Sequence, residues 1–235
     1  MTDTARILLD LLDLEVLDAN LYRGSGSGGE TPIRIYGGQV IAQALTAAYA
    51  TVSGRLCHSL HAYFIRPGDP SRPVIYEVDT SRDGRSISTR RVVAMQNGKQ
   101  ILSLSASFHA EEHGWDHQHQ MPEVPSPSGL ESRHEILLRN MFRLPKDRQQ
   151  EFARPRPFEI REVEPRDPLT PEKANDVNHM WVRMAAAEGA GPELQHILMA
   201  YVSDFGLLGS SMRPHGLTFH NPKAMTARLE HAIWF

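Results

Sequence analysis

Residues 40–52 (VIAQALTAAYATV) constrain this chain more than any other segment. Their small and apolar side chains lie all round a helix rather than along one stripe. A helix without a polar face must be buried on most sides, so the rest of the chain has to wrap it. Four β-type runs follow directly, at 57–66, 73–79, 86–96 and 100–109. The turn signals between them are RPGDP at 66–70, RDGR at 82–85 and Asn97-Gly98. The last is a strong two-residue hairpin cue. Strands at such short intervals are expected to be antiparallel neighbours. The fold class is therefore α+β, with a first unit over residues 1–112.

Around this centre the organisation is readable but less sharp. Leu8, Leu9, Leu11, Leu12, Leu14 and Leu17 recur at three- and four-residue spacing, which predicts a helix over 4–18. Residues 23–31 are rich in Gly and Ser and read as a connection. Residues 113–155 form the expected linker, polar and proline-rich at first, with a short helix at 130–142. A second unit, 156–235, holds β-type runs at 158–163 and 177–186. It also holds a helix that Pro192 opens and that runs to about Leu208, and a final strand at 224–235.

The two units can be laid on each other. A buried helix leads to LHAYF at 60–64 in the first and to EHAIWF at 230–235 in the second, which suggests an internal duplication. After Phe64 the first unit carries three further strands, up to His109. After Trp234 the sequence has one residue, so the second unit is expected to lack those strands.

Composition narrows the partners. Hydrophobic residues make up 40 % of 235, enough for a sizeable core. The net charge of −3 argues against nucleic acid, whose binding proteins show a basic excess. No run approaches the ~18 apolar residues of a spanning helix, so no membrane role is expected. Met1 opens no apolar leader. Cys57 stands alone, which fits a reducing compartment, most simply the cytoplasm.

RIYGGQVIAQALTAAY (34–49), HSLHAYFIRPGDPSRPVIYEV (58–78), RDGRSISTRRVVAMQNGK (82–99), ASFH (106–109), YVSDFGLL (201–208) and LEHAIWF (229–235) together resemble the acyl-CoA thioesterase II family. The resemblance implies a double hotdog, each half a long helix wrapped by a curved antiparallel sheet. It implies hydrolysis of acyl-CoA to a free acid and CoA, with no metal and no cofactor. It also implies a triad of Asp, Thr or Ser, and Gln that holds a water for attack on the thioester. The Asp falls on Asp204, and the residues agree: Asp204 is the only carboxylate between Glu193 and Glu230 and is flanked by Val202, Phe205, Leu207 and Leu208. A carboxylate in such surroundings is costly unless it is hydrogen-bonded or used. The hydroxyl position falls on Arg228, which has none. Thr226, two residues earlier and on the same side of a strand, is the substitute. The Gln position lies beyond Phe235.

Further substrate contacts are expected from the helix start, from strand histidines and from arginines. Gly37, Gly38 and Gln39 could present bare N–H groups to a carbonyl oxygen, although close helix packing also wants glycine. His58 and His61 can face one side of their strand, and His58 is the pseudo-equivalent of position 228. Arg85, with Arg82, Arg90 and Arg91, could meet CoA phosphates, or simply solvate a hairpin edge. Arg228 is a further substrate-binding candidate. His109, His113, His117 and His119 cluster without Cys or helical HxxxH spacing, so no metal site is expected. Beside the thioesterase stand a purely structural hotdog partner that completes its sheet with another chain, and two further readings. One is a catalytically impaired acyl-CoA binder. The other is a hotdog enoyl-CoA hydratase, which would want an Asp/His pair that YGGQVIAQ lacks. Open sheet edges predict a homo-oligomer.

Overall fold

A computed structural model describes residues 3–26, 34–144, 146–218, 221 and 226–235. The chain opens with α1 (Asp3–Leu12), β1 (Glu15–Asp18) and β2 (Leu21–Gly24), followed by α2 (Gly37–Tyr49), the predicted central helix. Four strands come next, β3 (Leu56–Phe64), β4 (Val74–Asp83), β5 (Ile87–Gln96) and β6 (Lys99–His109). The linker carries α3 (Arg133–Asn140) and α4 (Lys146–Ala153). The second unit contributes β7 (Glu159–Glu162), β8 (Met180–Arg183), α5 (Pro192–Ser203), α6 (Leu207–Met212) and β9 (Glu230–Trp234).

The wrap around α2 is real. Ile41, Ala42, Ala44, Leu45, Ala47 and Ala48 are fully buried, and they face both a sheet and a second helix. The sheet has seven strands in the order β1-β2-β4-β5-β6-β3-β9, with β7 and β8 forming a separate pair. Alternate residues of β5 and β6, among them Val92, Ala94, Leu102, Leu104 and Phe108, point inward to α2. Asn97 (φ 50°) and Gly98 (φ 69°) turn the β5–β6 hairpin with both central residues left-handed, as the Asn-Gly cue requires. On the far side α5 lies antiparallel to α2. Tyr49 Oη, at the C-terminal end of α2, meets His196 Nδ1 on the first half of α5 at 3.0 Å. Tyr36, before α2, donates its hydroxyl to the Tyr201 carbonyl near the end of α5 at 3.0 Å.

The units join through β3 and β9, which pair antiparallel with His61 opposite Ala232 and Ala62 opposite His231. These two pairs exchange under a twofold that maps the His-Ala of one unit onto that of the other. The short sequence repeat is thus a structural one.

Several sequence expectations change. The leucine pattern over 4–18 is a helix only to Leu12. The chain then turns back at Asn20 (φ 59°), so Leu17 lies exposed on β1. Arg23 and Gly24 of the expected connection are strand residues, and 27–33 lie outside the described residues. β3 and β4 are not neighbours: β3 pairs with β6, and β4 lies between β2 and β5. The loop between them is too long for a hairpin and crosses the sheet end instead. The Gln96 side chain pins it there, accepting from Asp69 N–H and donating to the Asp69 and Arg72 carbonyls. The second long helix stops at Ser203, short of Leu208. Asp204 is therefore its C-cap rather than a mid-helix residue. The last strand is confined to 230–234, and 222–225 lie outside the described residues. Among the described residues, no helix is long and apolar enough to cross a membrane.

The α2–α5 contact depends on Gly38. A Cβ there would sit 2.1 Å from the Tyr201 carbonyl oxygen, whereas one at Gly209 would meet nothing within 4 Å. Gly38→Ala should therefore destabilise the fold by about 1–3 kcal/mol through overpacking. Gly209→Ala should be neutral or stabilising by up to about 1 kcal/mol. Urea denaturation midpoints of the two variants check both signs.

Candidate active site

The end of α5 meets the start of α2 and the strand β9 at one buried point. Pro192 starts α5 in register, and the helix ends where Phe205 N–H bonds back to the Val202 carbonyl at 2.9 Å. That places the Asp204 carboxylate over the N-terminus of α2. Gly38 N–H donates to Asp204 Oδ2 at 3.0 Å, the arrangement a helix N-terminus favours for an anion. Gly37 makes the approach possible, since a Cβ there would lie 2.8 Å from the same oxygen. The Asp204 side chain is 4 % exposed, and its Oδ1 is ion-paired with Arg228 Nη1. Each of these partners is complementary to an ionised carboxylate.

His231 completes the cluster. Its side chain is 1 % exposed, and Nδ1 lies 3.9 Å from Asp204 Oδ1. Its Nε2 is 2.9 Å from Ser203 Oγ. Burial, with the Arg228 charge as a second cause, pushes the imidazole down to about 4, so the ring is neutral at pH 7. Burial also pulls the Arg228 guanidinium below its ordinary value. Among the described residues, His231 Nδ1 and Arg228 Nε have no hydrogen-bond partner.

The structure brings together Gly37, Gly38, Asp204 and Arg228 from the sequence candidates. Thr226 is partly buried two residues before Arg228, and it is not among the hydrogen-bond or ion-pair partners of Asp204 in the described residues, which are Gly38, Arg228 and His231. Gln39 is fully buried and holds the preceding segment, donating to the Ser25 carbonyl at 2.9 Å. His58 lies on the solvent face of the sheet, bonded to Ser107 Oγ at 2.8 Å. A bulge between Cys57 and Ser59 puts it on the same exposed face as His61, which in a regular strand would point oppositely. Arg85 is exposed in the β4–β5 hairpin, three strands from β9. Arg90 is buried instead, donating to Thr51, Asp83 and the Arg82 carbonyl, so it braces the fold. Sequence reasoning missed His231 and Ser203. The repeated His-Ala pair was a signal for His231, but only the β3–β9 register aims it inward.

Comparison with known proteins bears on this geometry. Residues 28–109 match the family described as acyl-CoA thioesterase N-terminal domain, and residues 147–235 match that described as acyl-CoA thioesterase. Acyl-CoA thioesterase 2 of Haemophilus influenzae is 35 % identical over 237 residues, covering all of this chain and 82 % of that protein. The chain belongs to the acyl-CoA thioesterase II family. Human acyl-coenzyme A thioesterase 8 is 37 % identical, over 97 % of this chain and 74 % of its own length. Among solved structures, an acyl-CoA thioesterase II of Mycobacterium marinum superposes with a TM-score of 0.73 at 35 % identity, covering 97 % of this chain and 77 % of that one. A hot dog fold protein of Alicyclobacillus acidocaldarius, 19 % identical, matches with a TM-score of 0.63 over 84 % of this chain and 68 % of its own, and shares the fold alone. The architecture of this family member is thus the double hotdog expected, with α2 and α5 back to back and the sheet continuing from β3 into β9.

The buried His231 makes stability depend on pH. Its folded value of about 4 lies below the ordinary 6.5, so the unfolded chain binds the proton more readily. Its contribution is complete above about pH 6.5 and is lost as pH falls toward 4, a loss of order 2–3 kcal/mol. Unfolding free energies should fall over that window, and His231→Leu should flatten the fall.

Proposed function

We propose that this thioesterase family member hydrolyses acyl-CoA thioesters to a free acid and CoA, with Asp204 accepting the proton of the attacking water. The observation that carries the reading is a buried carboxylate held at the start of α2 by Gly38 N–H and paired with a cation, Arg228. The carboxylate is fixed and desolvated, so little reorganisation separates it from the geometry of proton transfer. Arg228, standing where the family resemblance expects a hydroxyl, supplies positive charge where the thioester oxygen becomes an oxyanion. The residues come from both units, Gly38 from 1–112 and Asp204, Arg228 and His231 from 156–235. A cleft lined by Ile136, Met180, Phe205 and Met212 lies next to this site without including Asp204, and it carries Glu162 and Asp167 as well as Arg133 and Arg166. The buried, lone Cys57 is compatible with a reducing cytoplasm, and the edge strands β1 and β9 with a homo-oligomer.

The Arg228 ion pair also favours a second reading, an acyl-CoA binder whose carboxylate is tied up. Free-thiol release from acyl-CoAs of several chain lengths separates the two. Hydrolysis predicts turnover by the native chain and a loss of about 10²-fold or more in kcat for Asp204→Asn, with KM little changed. The binder predicts a raised melting temperature with acyl-CoA, no turnover, and a gain of turnover when Arg228→Thr frees the carboxylate.

A further inference from the structure

The proposed mechanism leaves unused a buried ring nitrogen, His231 Nδ1, which has no hydrogen-bond partner among the described residues and lies beside the reacting carboxylate. Ser203 has a single hydroxyl proton, which it donates to the Ala200 carbonyl at 3.0 Å. With that proton on the Ala200 carbonyl, its oxygen is left as the acceptor in the 2.9 Å contact with His231, which assigns the imidazole proton to Nε2. Neutral histidine then has a bare lone pair on Nδ1. That lone pair has no hydrogen-bond partner among the described residues and lies 3.9 Å from Asp204 Oδ1.

Two acceptors facing each other in a buried place repel unless a donor joins them. A water molecule has two donors, and at hydrogen-bond distances of about 2.8 Å it can bond both atoms at this separation. It then keeps its lone pairs for other work. We propose that His231 is a second acceptor for the attacking water, holding one of its protons on Nδ1 while Asp204 takes the other. The inference rests on the reading of Asp204 as proton acceptor. The water oxygen bonds to the thioester carbonyl carbon as one proton passes to Asp204. The C–S bond then breaks, and the departing sulfur takes that proton and leaves as the CoA thiol. His231 gains no proton in this sequence, as befits a ring held neutral. It fixes the direction of the water's lone pair, and Ser203 fixes the ring.

Substitutions that keep one end of the imidazole at a time test this. Asparagine places an amide oxygen near the Nδ1 position, glutamine reaches the Nε2 position, and leucine keeps neither. His231→Leu and His231→Gln should lower kcat by about 10- to 100-fold with KM unchanged, since a misaimed nucleophile costs rate rather than affinity. His231→Asn should stay within about threefold of the native kcat. Should the leucine variant fail to fold, the two polar variants decide. Native-like kcat in His231→Gln with loss in His231→Asn would reduce His231 to a brace for Ser203. Native kcat in all the folded variants would overturn the proposal outright. Asp204→Asn, measured alongside, separates the layers. If it is inactive while His231→Leu is fully active, only the role of His231 falls. If it is fully active, the reading of Asp204 falls as well.

Discussion

The close contact between the start of α2 and the end of α5 is the constraint on which the rest of this structure depends. Gly38 presses its Cα on the Tyr201 carbonyl and gives its N–H to Asp204. One residue thereby sets how near the helices come and where the carboxylate points. Any larger side chain would separate both. The same contact explains why α2 can lack a polar face: its inner side is covered by the sheet and its outer side by α5. Tertiary burial, not helix propensity, stabilises such a segment.

Electrostatics then follows from packing. A carboxylate this buried would be costly alone. Here the N-terminus of α2 and the Arg228 guanidinium complement its charge, and both are in place before any substrate arrives. Arg228 cuts both ways. It stabilises the charge that a proton acceptor needs, and it competes for that charge. On the proposed mechanism a developing oxyanion would give the pair a use beyond stability, which matters because breaking a buried ion pair is expensive while replacing it whole often is not.

Much of the fold was legible in the residues. The all-round apolar pattern of 40–52 announced a buried helix, Asn97-Gly98 announced a two-residue hairpin, and Pro192 announced the start of α5. Asp204 stood out as an isolated carboxylate among apolar residues. What was not legible depends on contacts distant in sequence. The leucines of 4–18 keep helical spacing past Leu12, but pairing of β1 with β2 overrides it. The separation of β3 from β4 depends on a loop pinned by Gln96, which no local pattern reveals. His58 looked like a site residue by analogy with position 228, yet a one-residue bulge turns it to solvent. His231 was legible only as half of the repeated His-Ala pair, with nothing to say which face it takes. Only its register against Ala62 brings it beneath Asp204.

The central claim is that the thioester reacts at the junction of α2, α5 and β9. A crystal structure with a non-hydrolysable acyl-CoA thioether tests it most directly. The account predicts the thioether sulfur and the carbon that replaces the carbonyl beside Asp204, with room for a water about 3–3.5 Å from that carbon between Asp204 and His231. Density for the same ligand on the outer sheet face, against His58 and Arg85 and remote from Asp204, would contradict it.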